Sequence, residues 1–252
     1  MYNVIGDVGG MFDTLKALHE KMPKDAALLC LGDPNDRGPN SKGVIEYIMA
    51  NGLMVQSNHS HMMVEAWKQD AMPNAHPKYY EDGIWLKNGG ITTIISYGAN
   101  QTTEFWPHIP KSHIRYLQDL PMYLSYNNFF FSHAPLHSRL TIEQACDIGS
   151  GFTQIKFDLK SENSLLWNRQ VGPNKHLNGK INIFGHNSSD AVKVYSSQFK
   201  NGIKIKSQEH LNELLADEAH SIYGIGLDTS RGKVLTGLHI PTMTLYEQEF
   251  IG

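Results

Sequence analysis

The sequence predicts an α/β fold built on a parallel sheet, and two observations predict it. Apolar runs typical of strands alternate with segments of helical periodicity in the N-terminal half. Acidic or histidine-containing turns directly follow several of these runs, where a strand would end. Crevices of open α/β sheets form outside the carboxyl ends of the strands. The turns therefore predict a site along one edge of the sheet.

The N-terminal half reads as strand-helix repeated three times. Apolar side chains at helical spacing predict helices over Phe12–Met22 and Ser41–Ala50, and a third around Met62–Trp67. The preceding strand candidates are Tyr2-Asn3-Val4-Ile5, Ala27-Leu28-Leu29-Cys30-Leu31 and Leu53-Met54-Val55. This alternation is typical of a parallel sheet with right-handed crossovers.

The remainder divides into an insertion and a strand-rich half of one domain spanning residues 1–252. Residues 72–110 are rich in Pro, Asn, Gly, Tyr and Trp, which indicates a helical or irregular insertion, and a helix is predicted over Lys111–Leu120. Val194–Glu218 is weakly patterned and is interpreted as a loop-and-helix excursion. The strand candidates are Met122–Tyr126, Phe129–Ser132, Ile181–Phe184, Ser221–Leu227, Lys233–Ile240 and Met243–Phe250.

Composition limits the class of protein. The 252 residues, 40% of them hydrophobic, suffice for one substantial core. A net charge of -3 does not indicate a nucleic-acid binder, which usually carries a basic stripe. Two cysteines cannot form a disulfide framework, and neither a signal peptide nor an apolar run long enough to span a bilayer is recognisable. We therefore expect a cytoplasmic protein without membrane contact.

Five predicted strand ends carry potential metal ligands. Carboxylate, amide and imidazole groups together suit a dinuclear site for Mn, Fe or Zn. Two such metals about 3.5–4 Å apart hold an attacking hydroxide and a phosphate together. The groups at these ends are Asp7, Asp33, Asn58-His59, His133 and His186.

In this order, the turns resemble the motifs of the calcineurin-like metallophosphoesterases. The likeness is strongest to the phosphoprotein phosphatase branch, which includes lambda-type serine/threonine protein phosphatases and symmetrical diadenosine tetraphosphatases. Its most specific element is Gly32-Asp33-Pro34-Asn35-Asp36-Arg37-Gly38. The other matching elements are Gly6-Asp7-Val8-Gly9, Ser57-Asn58-His59-Ser60, His133 and Gly185-His186. The resemblance implies a two-sheet αββα sandwich flanked by helices.

The resemblance also implies a role for each residue. Asp33 would bridge two divalent metals, of which Mn is the first expectation. A metal-bound hydroxide would attack phosphorus, and His59, oriented by Asp36, would be the general acid for the leaving-group oxygen. Arg37 and Arg169 would hold the phosphate. The remaining implied metal ligands are Asp7 on the first metal and Asn58, His133 and His186 on the second. Trp85, the turn Asn88-Gly89-Gly90 and Asp228 are interpreted as packing and turn residues.

Four positions depart from the family pattern. Gly9 replaces the histidine of the first metal site, so that site would keep only Asp7 and Asp33 as ligands and would bind its metal more weakly. We therefore expect one or two metal ions per chain. Gln56 replaces an arginine that contacts phosphate, while Ser57 and Ser60 replace a glycine and a glutamate.

The leading hypothesis is a metal-dependent phosphoester hydrolase acting on a phosphorylated protein or a small phosphoester. Two alternatives stay open. Fewer charges at the site favour phosphodiesters or dinucleoside polyphosphates as substrates, and the departures are also compatible with a degenerate, non-catalytic binding protein.

Overall fold

The fold was described from a computed structural model that covers residues 1–70, 83–99, 105–147 and 162–251. Its strands fall into two mixed sheets. The strands in chain order are β1 (Tyr2–Ile5), β2 (Ala27–Cys30), β3 (Gly52–Met54), β4 (Tyr123–Tyr126), β5 (Phe129–Ser132), β6 (Ile181–Phe184), β7 (Lys193–Ser196), β8 (Ile203–Lys204), β9 (Ile222–Gly226), β10 (Val234–Ile240) and β11 (Thr244–Glu249).

Helices cover the outer faces and the connections. The α-helices are α1 (Phe12–Lys21), α2 (Ser41–Asn51), α3 (Asn58–Asp70), α4 (Ile91–Ser96), α5 (Lys111–Gln118), α6 (Ile142–Cys146) and α7 (Gln208–Ala216). A π-helical turn occupies Leu86–Gly90, and short 3-10 turns occupy Trp106–His108, Lys175–Leu177, Glu218–His220 and Ser230–Gly232.

Each sheet has three parallel strands at its centre or edge. Sheet one has the order β11-β10-β1-β2-β3, with β1, β2 and β3 parallel. Sheet two has the order β4-β5-β6-β9-β7-β8, with β5, β6 and β9 parallel. The carboxyl ends of parallel strands lie at one edge of a sheet, so each sheet presents three strand ends together.

The core lies on both faces of sheet one. Val4 and Leu29 are register partners that pack with Ile183 of sheet two, whereas Ile5 and Cys30, the next pair, pack with the helices. Both faces of these strands are buried, which explains why their sequences read as unbroken apolar runs rather than alternating ones.

The structure confirms the predicted α/β class and the strand-helix order. The first two helices end within one residue of the predicted bounds, and the third starts at Asn58. The interpretation of 194–218 as loop and helix was wrong in its first part. Strand β7 begins at Lys193 and pairs antiparallel with β9, which buries Val194 and Tyr195.

Of the predicted insertion, residues 72–82 and 100–104 lie outside the described part of the chain, and the rest forms short helices. None of the described helices combines the length and apolar character that crossing a bilayer would require.

Candidate functional site

The strand ends of the two sheets meet in one buried site. Sheet one contributes Asp7 after β1, Asp33 after β2 and Asn58 beyond β3, while sheet two contributes His133 after β5 and His186 after β6. The backbone N–H of His186 donates to both carboxylate oxygens of Asp7 at 3.1 Å, which ties the sheets together.

The loop after β2 is held in a sparsely populated backbone conformation. Asp33, Asp36 and Arg37 have φ angles of 45°, 73° and 65°, and His186 has 57°. A left-handed conformation costs a non-glycine residue about 1–3 kcal/mol and persists where the surroundings enforce it, typically at functional sites. Here the N–H of Gly38 donates to Gly9 O at 2.8 Å, which fixes the loop against the turn after β1.

Two carboxylates and an imidazole surround one point. Ligand atoms of Asp7, Asp33 and His133 all lie within 4.8 Å of one another. Burial, followed by the nearby carboxylates of Asp228 and Asp33, raises the pKa of Asp7 well above its usual value. Burial also acts to raise the pKa of Asp33, but the histidines around it, His59 first, lower that pKa to about 2. The charge pattern favours a bound cation.

Two buried histidines are each held by a backbone group through one ring nitrogen. The Nδ1 atom of His133 lies 2.9 Å from Leu31 O, and the His186 ring bonds to the Trp167 backbone, leaving its buried Nε2 without a hydrogen-bond partner. Burial lowers the pKa of both histidines, which favours their neutral forms. A backbone carbonyl that fixes the tautomer in this way is typical of histidines that bind metals.

These donors fit a divalent metal. The Nε2 atom of His133 lies 2.7 Å from Asn58 Oδ1 and 3.5 Å from an Asp33 oxygen. Oxygen and imidazole ligands of this kind suit Mn, Fe or Zn. The Nε2 atom of His186, which is buried and has no hydrogen-bond partner, is a further candidate ligand at a neighbouring strand end.

His59 lies beside the metal-ligand group and pairs with Asp36. Its Nδ1 atom is 2.6 Å from Asp36 Oδ2, and its Nε2 atom is 3.8 Å from Asp33 Oδ2. Burial lowers the pKa of His59, but the carboxylates of Asp33 and Asp36 outweigh burial and raise it overall. An imidazole oriented by a carboxylate and able to carry a proton is suited to general acid catalysis.

Two exposed arginines flank the buried group. The Nη2 atom of Arg37 lies 2.8 Å from Nε2 of His59, and Nη1 of Arg169 donates to His186 O at 3.3 Å. The structure therefore brings all nine sequence-predicted site residues into one contiguous cluster.

Gly9 lies at this site and leaves space around it. Its N–H donates to Asp33 O at 2.6 Å, and its φ angle is +54°. A Cβ atom built there would have only Asp36 O, at 3.8 Å, within 4 Å. There is therefore space for a Cβ atom at position 9, and this position offers no ligand because the residue is glycine.

The other three departures form a neutral network beneath the site. The amide of Gln56 donates to Leu117 O at 2.7 Å, and its Oε1 accepts from the Ser57 N–H and the Ser60 hydroxyl. The Ser57 hydroxyl accepts from the Asp33 N–H at 2.9 Å. Gln56 is therefore engaged in the protein interior, and these serines support the Asp33 turn.

The sequence interpretation underestimated three residues. Asp228, interpreted as a turn residue, is buried just after β9. Its carboxylate raises the pKa of Asp7 more than any other nearby charge does. Trp85 does pack in the core, but its indole N–H also donates to Asp36. Thr93, which was not singled out, donates to Asp36 Oδ1 at 2.6 Å. The signal for Asp228 was its position directly after an apolar strand.

No protein-family model matches the sequence, and no curated protein matches it either. Solved structures match its fold. A candidate diadenosine tetraphosphatase is 16% identical with a TM-score of 0.56, over 100% of this chain and 94% of its own. A metallophosphoesterase from Sphaerobacter thermophilus is 12% identical with a TM-score of 0.55, over 100% and 88%. A cold-active protein tyrosine phosphatase is 16% identical with a TM-score of 0.51, over 98% and 80%.

These similarities establish the fold. The chain is a two-sheet α/β sandwich of the metallophosphoesterase type, as the resemblance implied. Its buried Asp7-Asp33-His133 group occupies the edge at which both sheets end their parallel strands.

Proposed function

We propose that this protein is a metal-dependent phosphoester hydrolase similar to serine/threonine protein phosphatases. The observation that carries the proposal is the buried Asp7-Asp33-His133 group, with the unpartnered Nε2 atom of His186 at a neighbouring strand end. His186 and His133 supply the nitrogens, and Asp7 and Asp33 supply the carboxylates. Asn58, His133, His186, Asp7 and Asp33 would hold the metal, most simply Mn.

A bound divalent metal supplies charge stabilisation at the phosphoryl oxygens and lowers the pKa of a water. The protein's own groups do the rest. Arg37 and Arg169 are exposed and contact His59 and His186, and guanidinium groups match phosphate oxygens in fork geometry. They would bind and orient the phosphate above the buried ligands.

His59 would protonate the leaving oxygen from Nε2. Asp36 fixes Nδ1, so Nε2 is the atom that faces Asp33 and the metal ligands. Arg37 contacts that same Nε2 atom and must move from it before His59 can donate a proton there. Phosphate offers Arg37 an alternative partner, which couples substrate binding to release of the general acid.

Turnover of an aryl phosphate with Mn, Fe or Zn tests the proposal. We expect hydrolysis by the native chain and none by Asp33→Asn, since that substitution neutralises the carboxylate at the centre of the ligand group. An equal rate for both proteins with every metal would refute the proposal. Metal binding without turnover would instead favour a non-catalytic protein that binds phosphorylated partners.

The engagement of Gln56 favours a second substrate class. Its side chain bonds to Leu117 O and Ser60 rather than adding a charge to the site. A site with less positive charge suits a phosphodiester or a dinucleoside polyphosphate, whose reacting phosphorus carries less negative charge. The proposal therefore includes a phosphodiester or a dinucleoside polyphosphate as a substrate beside a phosphorylated protein.

A further inference from the structure

The carboxylate of Asp36 accepts hydrogen bonds from several elements at once. Oδ2 accepts from His59 Nδ1 at 2.6 Å, and Oδ1 accepts from the Thr93 hydroxyl at 2.6 Å. The Trp85 indole N–H lies 3.0 Å from Oδ1 and 3.1 Å from Oδ2, and Asn35 Nδ2 lies 2.9 Å from Oδ1. Asp36 is completely buried, so these donors replace water around its charge.

Trp85 and Thr93 come from a different part of the chain from the catalytic motifs. They lie 49 and 57 residues after Asp36, on the π-helical turn region and on α4. Thr93 donates to Oδ1, whereas the Trp85 N–H lies near both carboxylate oxygens. The plane of the carboxylate, and with it the direction of the His59 ring, depends on both donors.

The surroundings of Trp85 fix its indole in place. The ring stacks on Trp106 at 5.5 Å and 17°, and a Cβ atom at Gly90 would lie 2.7–2.9 Å from indole atoms. A glycine is thus needed at 90 to admit the ring. Thr93 is also held, because its hydroxyl lies 3.0 Å from Ser41 Oγ.

We propose that Trp85 and Thr93 are positioning residues that hold the Asp36 carboxylate, and through it the His59 ring, in the orientation needed for proton donation. The helical segment 84–96 would then be part of the catalytic apparatus as well as a cover. The expected effect on kcat rests on the proposed phosphoester hydrolysis. The expected effect on the orientation of the His59 ring does not depend on activity.

The kinetic test compares leaving groups. General acid catalysis contributes about 10²–10⁴-fold, and it matters most when the leaving oxygen is basic. We expect Trp85→Phe and Thr93→Val to lower kcat for phenyl phosphate by about 10-fold or more, with a much smaller loss for 2,4-dinitrophenyl phosphate and little change in KM. Equal losses with both substrates would contradict the proposal.

Trp106→Phe is the matched control, since it keeps an aromatic ring for Trp85 to stack on and removes no hydrogen bond to Asp36. Its effect should not depend on the leaving group. If it shows the same leaving-group dependence as Trp85→Phe, the effect reflects packing and the proposal fails.

The second readout is the NMR resonance of the His59 Nδ1 proton in the metal-free protein, identified by its loss in His59→Asn. A hydrogen bond of 2.6 Å to a carboxylate should place it far downfield. We expect it to move in Trp85→Phe and Thr93→Val and to stay in Trp106→Phe. An unmoved resonance would overturn the proposal. Absence of turnover by the native protein would refute only the proposed function.

Discussion

The Nε2 atom of His133 lies 2.7 Å from the Oδ1 atom of Asn58, and while the His133 ring is neutral neither of these atoms carries a proton. The Nδ1 atom of His133 bonds to Leu31 O, so the neutral ring carries its proton there and leaves a lone pair on Nε2. Two facing acceptors repel each other unless a cation lies between them. This pair is therefore a sensitive place to test metal binding.

Removing one member of this pair should weaken metal binding. We expect Asn58→Ala to lower Mn affinity by about 10–100-fold, at least the effect of losing an outer-shell partner. Isothermal titration calorimetry of the metal-free protein measures it. Asn51→Ala, at the exposed end of α2, is the control and should bind as the native chain does. Unchanged affinity in Asn58→Ala would exclude Asn58 as a ligand.

Restoring a histidine at position 9 should strengthen metal binding. The space around Gly9 admits a side chain, and an imidazole there would add a ligand beside Asp33. We expect Gly9→His to raise Mn affinity by about 10-fold or more and to raise the number of ions bound per chain, measured by elemental analysis.

Gly9→Ala is the matched control for that substitution. It introduces the same backbone strain at a φ of +54° without adding a ligand. Affinity should stay at or below the native value. A similar gain in both variants would show that backbone stiffening and not coordination is responsible.

The contribution of Asp7 to the stability of the metal-free protein should fall as pH rises. Burial, together with Asp228 and Asp33, raises the pKa of Asp7, so the folded state holds a proton that the unfolded state releases. Stability is then full below the ordinary carboxyl pKa and falls as pH rises through the raised value.

Asp7→Asn should remove this dependence and raise the melting temperature in EDTA at pH 7. The gain is about 2–4 °C for each kcal/mol of repulsion removed. The exposed Asp25→Asn should leave the profile unchanged. A lower melting temperature in Asp7→Asn would mean that its hydrogen bonds from the His186 N–H outweigh the repulsion.

Arg169 should act on phosphate binding. Its guanidinium lies at the rim and donates to His186 O, a bond that phosphate can replace. A hydrogen bond to a charged group contributes about 1.5–3 kcal/mol, so Arg169→Ala should lower kcat/KM by about 10-fold or more. We expect most of this in KM, and weaker inhibition by inorganic phosphate. Arg115→Ala on α5 is the control, and equal effects of both would contradict the assignment.

The substrate class can be decided by the charge of the ester. Gln56 adds no charge to the site, so we expect bis(p-nitrophenyl) phosphate to be hydrolysed with a kcat/KM at least equal to that of p-nitrophenyl phosphate. A strong preference for the monoester would show that Arg37, Arg169 and the metal suffice for a dianion.

The strand ends were predictable because parallel strands place their carboxyl ends together. An apolar run followed by Asp7, Asp33, His133 or His186 locates each candidate ligand without knowledge of the three-dimensional contacts. Strand β7 was not predictable, because Lys193–Ser196 is a strand only through its pairing with β8 and β9. Its polar surroundings conceal the burial of Val194.

The sequence alone determined the α/β class and the absence of a side chain at position 9, and it predicted the nine candidate site residues as a set. Local patterns suffice for these because residue type fixes ligand chemistry and hydrophobic period fixes strand or helix. Only the tertiary structure decided that Trp85 and Thr93 bind Asp36, that Asp228 lies beside Asp7, and that Gln56 turns inward. Each of these depends on contacts between residues distant in sequence, and no local periodicity encodes such contacts.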